Sequence, residues 1–99
     1  MTDREPVRID VWLWRARFVK TRGLATALVG KGRIRIGAGE RPRRIEKASS
    51  LVRPGDFLTF PLRNRIVRLT ILAVGERRGP ASEARQLYDL HGEEKSENV

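Results

Sequence analysis

Residues 8–36, RIDVWLWRARFVKTRGLATALVGKGRIRI, organise the rest of the chain. They include both tryptophans and eight cationic side chains, which are Arg8, Arg15, Arg17, Lys20, Arg22, Lys31, Arg33 and Arg35. At about 100° per residue, the first part predicts a helix that is apolar on two sides and stops at Thr21. One side carries Ile9, Trp12, Leu13, Ala16 and Val19, and the opposite side carries Val11, Trp14 and Phe18. Such a helix must be covered twice, or must leave one side for a ligand.

A second, shorter helix and a strand follow this first helix. Thr21 is a typical N-cap, because its hydroxyl can accept backbone N–H bonds. The predicted apolar face of the second helix consists of Leu24, Ala27 and Leu28. Gly30 and Gly32 suit its exit because they tolerate left-handed geometry. Arg33-Ile34-Arg35-Ile36 alternates strictly, which predicts a strand with the isoleucines inward and the arginines outward.

The remaining segments predict a β-rich scaffold with irregular ends. Residues 1–7 read as a flexible lead-in, 37–44 as an exposed cationic loop, and 91–99 as a disordered acidic tail. Strands are predicted at residues 49–52, 57–60 and 65–74, with turns at 53–56 and at Asn64. Pro80 suits the first turn of a last helix, one side of which carries Ala84, Leu87 and Tyr88. We expect Arg77 and Arg78 at the far end of the longest strand.

The composition points to one small domain with a polyanionic partner. Ninety-nine residues can bury a single modest core. Residues 1–82 contain 19 Lys or Arg against 7 Asp or Glu, whereas residues 83–99 contain 2 against 5. Of the 21 cations, 17 are Arg, the side chain that binds phosphate with a planar fork. The chain has no Cys and no long apolar run, so we expect a cytoplasmic protein without a membrane partner.

No motif predicts catalysis, a metal site or a cofactor. Gly30-Lys31-Gly32 lacks the spacing of a phosphate-binding loop, and Pro42 occupies the third glycine position of a dinucleotide fingerprint beginning at Gly37. His91 is the only histidine and is expected to be a solvated side chain. We therefore expect a protein that is not an enzyme.

Several short motifs resemble the S-four RNA-binding domain, also called the αL motif. They are Arg8-Ile9-Asp10, Trp12-Leu13-Trp14, Ala16-Arg17-Phe18, Lys20-Thr21-Arg22, Leu24-Ala25 and Gly32-Arg33-Ile34-Arg35-Ile36. The tryptophan motif and the residues up to Arg22 resemble the ribosome-associated heat shock protein 15 family in particular. The similarity extends through Lys47-Ala48-Ser49 and Pro54-Gly55-Asp56 to about residue 90, which predicts one S-four-like domain over residues 8–90.

The resemblance implies both a fold and a function. The fold is α+β, with two short helices packed on a small, twisted, mostly antiparallel sheet and a C-terminal helix. The implied partners are structured RNA on the large ribosomal subunit and peptidyl-tRNA, in the rescue or recycling of stalled subunits, and we expect a monomer. Matching positions imply RNA contacts at Arg8, Arg17, Lys20, Arg22 and Arg33. With the neighbouring polar and basic positions, the candidate RNA-binding residues are Arg8, Arg15, Arg17, Lys20, Thr21, Arg22, Lys31, Arg33 and Arg35.

Two other functions stay open at the level of sequence. The chain can be the RNA-targeting partner of a separate RNA-modifying enzyme, since the same module precedes the catalytic domains of such enzymes. It can also be a chaperone-like interaction module that exposes Trp14 and Phe18 as an apolar patch. Val11 stands where the family often has Lys, and the segment at residues 37–44 is longer than the usual Asn-Gly turn.

Overall fold

The computed structural model describes residues 5–37, residues 41–91 and the backbone of residues 94–95. In chain order the elements are β1 (Val7–Arg8), α1 (Ile9–Arg15), α2 (Arg22–Gly30), β2 (Ile34–Gly37), β3 (Arg43–Ile45), β4 (Leu51–Val52), β5 (Phe57–Leu62), β6 (Arg65–Ile71), α3 (Ala81–Ala84), a 3₁₀ turn (Arg85–Leu87), β7 (Tyr88–Leu90) and β8 (Glu94–Lys95). Within these ranges, every helix is too short or too polar to cross a membrane.

The strands form one large antiparallel sheet and one small one. The large sheet has the order β3-β2-β5-β6-β7, and β8 also pairs with β6. The small sheet pairs β1 with β4. Together with the helices this is the expected α+β fold with a mostly antiparallel sheet, and that prediction is confirmed.

The core lies on one face of the large sheet. Because strand side chains alternate between faces, every second residue of the central strands is buried. These buried residues are Ile34, Ile36, Leu58, Phe60, Val67, Leu69 and Ile71. The inward isoleucines and outward arginines predicted for residues 33–36 are therefore confirmed.

Helix α1 buries the first of its two predicted sides. Ile9, Trp12, Leu13 and Ala16 are buried, and the Trp12 Nε1–H donates to the Ala73 carbonyl oxygen over 3.0 Å. The helix ends at Arg15, earlier than the predicted stop at Thr21.

The end of α1 redirects the chain. Arg17 has a φ of +66°. The Arg17 N–H donates to the Trp14 carbonyl, and the Phe18 N–H donates to the Leu13 carbonyl over 3.0 Å. These two bonds form a Schellman motif, a helix ending whose left-handed position is usually glycine.

The redirected turn carries Phe18 into the core. Its ring centroid lies 4.8 Å from that of Tyr88, 5.5 Å from that of Phe60 and 6.0 Å from that of Trp12. The prediction that Phe18 lies opposite Trp12 is wrong, because the helix has already ended when the chain reaches Phe18. Trp14 is half-buried and packs against the core.

Helix α2 begins with the predicted cap but buries a different face. The Leu24 N–H donates to the Thr21 Oγ1 over 3.0 Å. Ala25 and Val29 are buried, whereas Leu24 is 52% exposed. The small side chains of Ala25 and Val29 allow α2 to lie close to α1, and the larger Leu24 stays at the edge of this contact. The helix exits through Gly32, whose φ is +71°.

Several irregular segments are more ordered than predicted. The strand Val7–Arg8 begins at the last residue of the expected lead-in, and the strand Arg43–Ile45 begins near the end of the expected loop, because each finds an antiparallel partner outside its own segment. Residues 1–4 and 38–40 lie outside the described residues.

The C-terminal part also differs from the prediction. The long strand ends at Ile71, and the last helix is a single turn followed by a 3₁₀ turn, although Ala84 and Leu87 are buried as expected. Tyr88 begins a strand instead of continuing the helix. Within the expected tail, Glu94–Lys95 pairs with β6, and residues 92–93 and 96–99 lie outside the described residues.

Candidate nucleic-acid interface

Three of the candidate arginines are tied to the protein along α1. Arg8 makes a bidentate pair with Asp10, with Nε–Oδ1 and Nη2–Oδ2 distances of 3.1 and 2.9 Å. Asp10 is only 2% exposed, so this pair compensates a buried carboxylate in the first turn of the helix. Arg15 donates from Nη1 to the Gly75 carbonyl over 2.7 Å, and Arg17 donates from Nε to the Gly79 carbonyl over 2.7 Å.

Arg78 belongs to this group although the sequence did not indicate it. Its Nε–H donates to the Trp14 carbonyl over 3.0 Å, and its Nη2 lies 3.4 Å from the Val19 carbonyl. The position predicted for Arg78, at the far end of the long strand, is wrong because the chain after Ile71 turns back to α1. Arg78 thus supplies donors to carbonyl groups at and beyond the end of that helix.

The cations around α2 have a different environment. The side chains of Lys20, Arg22 and Lys31 are exposed, and none of these side chains has a hydrogen bond or ion pair with another described residue. Lys20 and Lys31 border an open cavity of about 410 Å³, together with Arg63. Its other walls are Phe18, Val19, Leu24, Ala27, Leu28 and Leu62. We call this cavity the α2 groove. Thr21 stands at the start of the same helix, where its hydroxyl serves as the N-cap.

Arg33 and Arg35 lie on the outer face of the sheet. Both are exposed and line a cavity of about 400 Å³ with Arg44. Arg35 faces Arg44 on one neighbouring strand and Thr59 on the other. Arg44 is 3.5 Å from Glu46, and both of these side chains are well exposed. The sheet therefore presents a basic surface separate from the α2 groove.

A third cavity, of about 200 Å³, lies between the end of α1, the β5–β6 hairpin and α3. It is lined by Arg17, Arg63, Arg65 and Arg85, with Phe18 and Tyr88 beside them. Arg63, Leu62 and Phe18 also line the α2 groove, so the two cavities are adjacent. The hairpin arginines were not among the candidates, and their only sequence signal is the Arg63-Asn64-Arg65 turn.

The structure thus separates the nine candidate residues into several environments. Lys20 and Lys31 share one cavity, Arg33 and Arg35 share another, and Arg17 lines the third. Across residues 5–37 and 41–91, no group of three or more His, Cys, Asp or Glu side chains could hold a metal ion.

Comparison with known proteins relates the chain to a family. Residues 7–58 match the model described as the S4 domain. Heat shock protein 15 of Escherichia coli strain K12 is 40% identical over 83 residues, which are 84% of this chain and 59% of that protein. The RQC P-site tRNA stabilizing factor of Bacillus subtilis strain 168 is 33% identical over 89 residues, 90% of this chain and 96% of that protein.

A solved structure extends the similarity to three dimensions. The structure described as trimeric heat shock protein 15 of Vibrio cholerae has a TM-score of 0.75 and 36% identity, covering 89% of this chain and 84% of that one. The chain spans about three-fifths of the length of the E. coli relative.

Proposed function

Because this chain belongs to the S4 domain family and to the heat shock protein 15 group within it, we propose that it is a noncatalytic, cytoplasmic RNA-binding protein that acts on ribosomes. We propose further that it binds ribosomal RNA and tRNA on the large subunit and assists stalled subunits. The name of the B. subtilis relative refers to P-site tRNA, and that protein matches over 96% of its length. The structural observation that supports this proposal best is the α2 groove.

The chemistry of the groove suits structured RNA. Lys20, Lys31 and Arg63 border an apolar floor, and their side chains have no hydrogen bond or ion pair with another described residue. Free cations of this kind can neutralise backbone phosphates, while an apolar floor can contact ribose or base. In folded RNA, phosphates and the shallow groove are more accessible than the deep major groove. A cationic rim around an apolar floor matches that pattern.

We propose six of the nine candidates as direct RNA contacts: Arg17, Lys20, Arg22, Lys31, Arg33 and Arg35. Arg8 is a seventh, through Nη1, since the pair with Asp10 uses Nε and Nη2. We assign Arg15 and Thr21 to the fold instead. The Arg15 guanidinium donates to the Val74 and Gly75 carbonyls, and the Thr21 hydroxyl accepts from Leu24.

The decisive variant changes Lys20 and Arg22 together to Glu. Both side chains are exposed, so circular dichroism should show an unchanged fold. Binding to structured RNA and to large ribosomal subunits should be largely lost, because two attractions become two repulsions. Gel-shift titration and gradient sedimentation measure these effects.

A matched control changes Lys47 and Arg53 to Glu. This pair makes the same change in charge, is exposed, flanks β4 and lines none of the three cavities. It should weaken binding only through net charge. Equal losses in both double variants would mean that binding is a diffuse charge effect and that the groove has no special part.

Salt dependence tests the same proposal without mutation. Each phosphate contact lowers log K by about 0.7–0.9 per decade of salt, so the proposed contacts, about seven in all, give a slope of about −5 to −6. A slope near zero would contradict an RNA surface made of these cations.

The chaperone-like alternative has lost its structural basis, because Phe18 is only 8% exposed and Trp14 packs against the core. RNase treatment distinguishes the chaperone-like function from RNA binding by experiment. Loss of ribosomal co-sedimentation after digestion supports RNA recognition, and retention supports a protein partner.

We propose that the chain acts as a monomer. Its exposed large apolar side chains are scattered: Leu24 lies on α2, Leu51 on β4, Ile66 on β6, Leu72 just after β6, and Leu90 on β7. Sedimentation equilibrium tests this proposal, and a trimer would agree with the description of the Vibrio relative.

A further inference from the structure

The cavity next to the α2 groove is unusually rich in arginine. Arg17, Arg63, Arg65 and Arg85 line its volume of about 200 Å³, and none of the described residues that line it is acidic. The walls come from the turn after α1, the β5–β6 hairpin, and α3 with its 3₁₀ turn. Four guanidinium-bearing side chains around a space this small favour an anion.

The backbone at this cavity has a second distinctive feature. Among the described residues, only Arg17 and Arg63 combine a side chain with a positive φ, at +66° and +58°. A residue with a Cβ pays a steric cost there, and glycine is the usual choice at the end of a helix or in a tight turn. Strained conformations of this kind concentrate at ligand-binding positions. Both strained residues are arginines, and both line the same cavity.

Three of these guanidinium groups, those of Arg17, Arg63 and Arg85, leave donors available for a ligand. Arg17 uses only Nε, in its bond to the Gly79 carbonyl, so its two terminal nitrogens make no hydrogen bond within the described chain. The side chains of Arg63 and Arg85 have no hydrogen bond or ion pair with another described residue. Arginine binds phosphate with two parallel N–H bonds, which makes phosphate the anion that best matches this set.

We propose that this cavity binds a single phosphate group of the RNA backbone. The inference rests on the proposed function and adds a separate subsite to it. Arg63 borders both this cavity and the α2 groove, so an RNA strand that follows the groove reaches the cavity directly. The strained positions of Arg17 and Arg63 present their side chains to that phosphate.

The first test replaces Arg63 by Gly and Arg85 by Ala, with Arg53→Ala as the control for loss of one charge. Arg53 is exposed and lines none of the three cavities. Arg63→Gly and Arg85→Ala should each reduce the salt slope by about 0.7–0.9 and weaken RNA binding about five- to eightfold at 0.1 M salt. Arg53→Ala should leave the slope unchanged.

Arg63→Gly has an additional signature, because it removes the steric cost of a positive φ together with the contact. Its thermal midpoint should rise while its RNA affinity falls. Arg85 has no positive φ, so Arg85→Ala should lose affinity without this gain. A lower thermal midpoint in Arg63→Gly would overturn the strain argument.

Inorganic phosphate is the direct probe of the cavity. In NMR titrations, phosphate should shift the amide and guanidinium signals of Arg17 and Arg63 saturably, and chloride at the same ionic strength should not. Equal responses to the two anions, or an unchanged response in Arg85→Ala, would overturn the site.

Failure of the subsite can be separated from failure of the proposed function. If Lys20→Glu with Arg22→Glu abolishes RNA binding while Arg63→Gly and Arg85→Ala bind like the unaltered protein, only the subsite falls. If all of these variants bind RNA as tightly as the unaltered protein, both proposals fall. If Arg63→Gly changes the oligomeric state and leaves RNA binding intact, the cavity accepts a carboxylate of a second copy and not phosphate.

Discussion

The cations along α1 and those around α2 have different surroundings, although all of them except Arg78 come from residues 8–36 or from the β5–β6 hairpin. Arg15 and Arg78 donate to backbone carbonyls of the same chain. Lys20, Arg22 and Lys31 are exposed and have no such partner among the described residues. The backbone around each side chain therefore separates cations that bond to carbonyls of the chain from cations that stay exposed.

The surroundings of the two helices explain the difference. The last carbonyls of α1, like those of any α-helix, lack partners within the helix, and this end of α1 packs where Arg78 can donate to the Trp14 carbonyl. Helix α2 presents its first turn to solvent, with Thr21 as its cap and Arg22 as its first residue. The α1 side is consequently expected to respond to mutation through stability, and the α2 side through binding.

The largest effect should come from a matched pair of leucines. Leu13→Ala on α1 should cost about 2–5 kcal/mol of unfolding free energy, because a fully buried side chain leaves a cavity. Leu24→Ala on α2 should change stability by about 0.5 kcal/mol or less, since that side chain is half exposed, and should weaken RNA binding instead. Urea denaturation and gel-shift titration measure the two effects. Equal stability losses would abolish the distinction between the two sides.

A second pair compares two cations. Arg78→Ala should cost about 1–3 kcal/mol, because the Trp14 carbonyl loses one of its donors and the Val19 carbonyl loses its contact with Arg78 in a partly buried setting. Lys31→Ala, at the exposed end of α2, should stay within about 0.5 kcal/mol. In RNA titrations the order should reverse, with the salt slope reduced by Lys31→Ala and unchanged by Arg78→Ala. The comparison would be contradicted if Arg78→Ala proved thermally neutral.

A third pair tests the backbone on each side. Gly75 has a φ of +75°, and a Cβ there would lie 3.3 Å from both terminal methyls of Leu87, so Gly75→Ala should cost about 1–2 kcal/mol. Gly30, at the end of α2, has open space around it, and Gly30→Ala should gain about 0.4–1 kcal/mol. Differential scanning calorimetry would show opposite shifts of the thermal midpoint. Shifts of the same sign would point to rearrangement around residue 75.

The smallest effect concerns an exposed ion pair on the α1 side. The Arg77 Nη2 lies 2.8 Å from the Glu83 Oε1, and hydrogen bonding from Arg77 lowers the pKa of Glu83 below its ordinary value of 4.5. Since the folded pKa is the lower one, the pair stabilises the fold above the ordinary value, and this effect disappears as pH falls through the folded pKa. Glu83→Gln should therefore lower the thermal midpoint slightly at neutral pH and not in strong acid. A difference that persists in acid would assign it to packing.

Local pattern predicted the features that depend on neighbours in sequence. The Thr21 cap, the inward isoleucines of β2 and the buried face of Ile9, Trp12 and Leu13 follow from spacing and residue type. The end of α1 did not, because Arg17 adopts the left-handed position without a glycine to signal it.

Features that depend on a partner far away in the sequence could not be predicted from local pattern. Strand β3 exists because it pairs with β2, and three residues carry too little periodicity to show it. Arg15 and Arg78 look like surface cations until the carbonyls that they contact are brought to them from about 60 residues away. The assignment of RNA-binding residues remains a prediction for the same reason, since it depends on a partner outside the chain.

The hydrogen bonds that hold α1 in place join residues that are synthesised at different times. Trp12 bonds to a carbonyl 61 residues later, Arg15 to one 60 residues later, and Arg78 returns to a carbonyl 64 residues earlier. At about 5–20 residues per second, about 3–12 s pass between the synthesis of α1 and that of its partners. The helix that is made first therefore completes its hydrogen bonds only after residues 73–78 have been made. Until then the Trp12 indole N–H lacks the carbonyl that accepts from it in the folded chain.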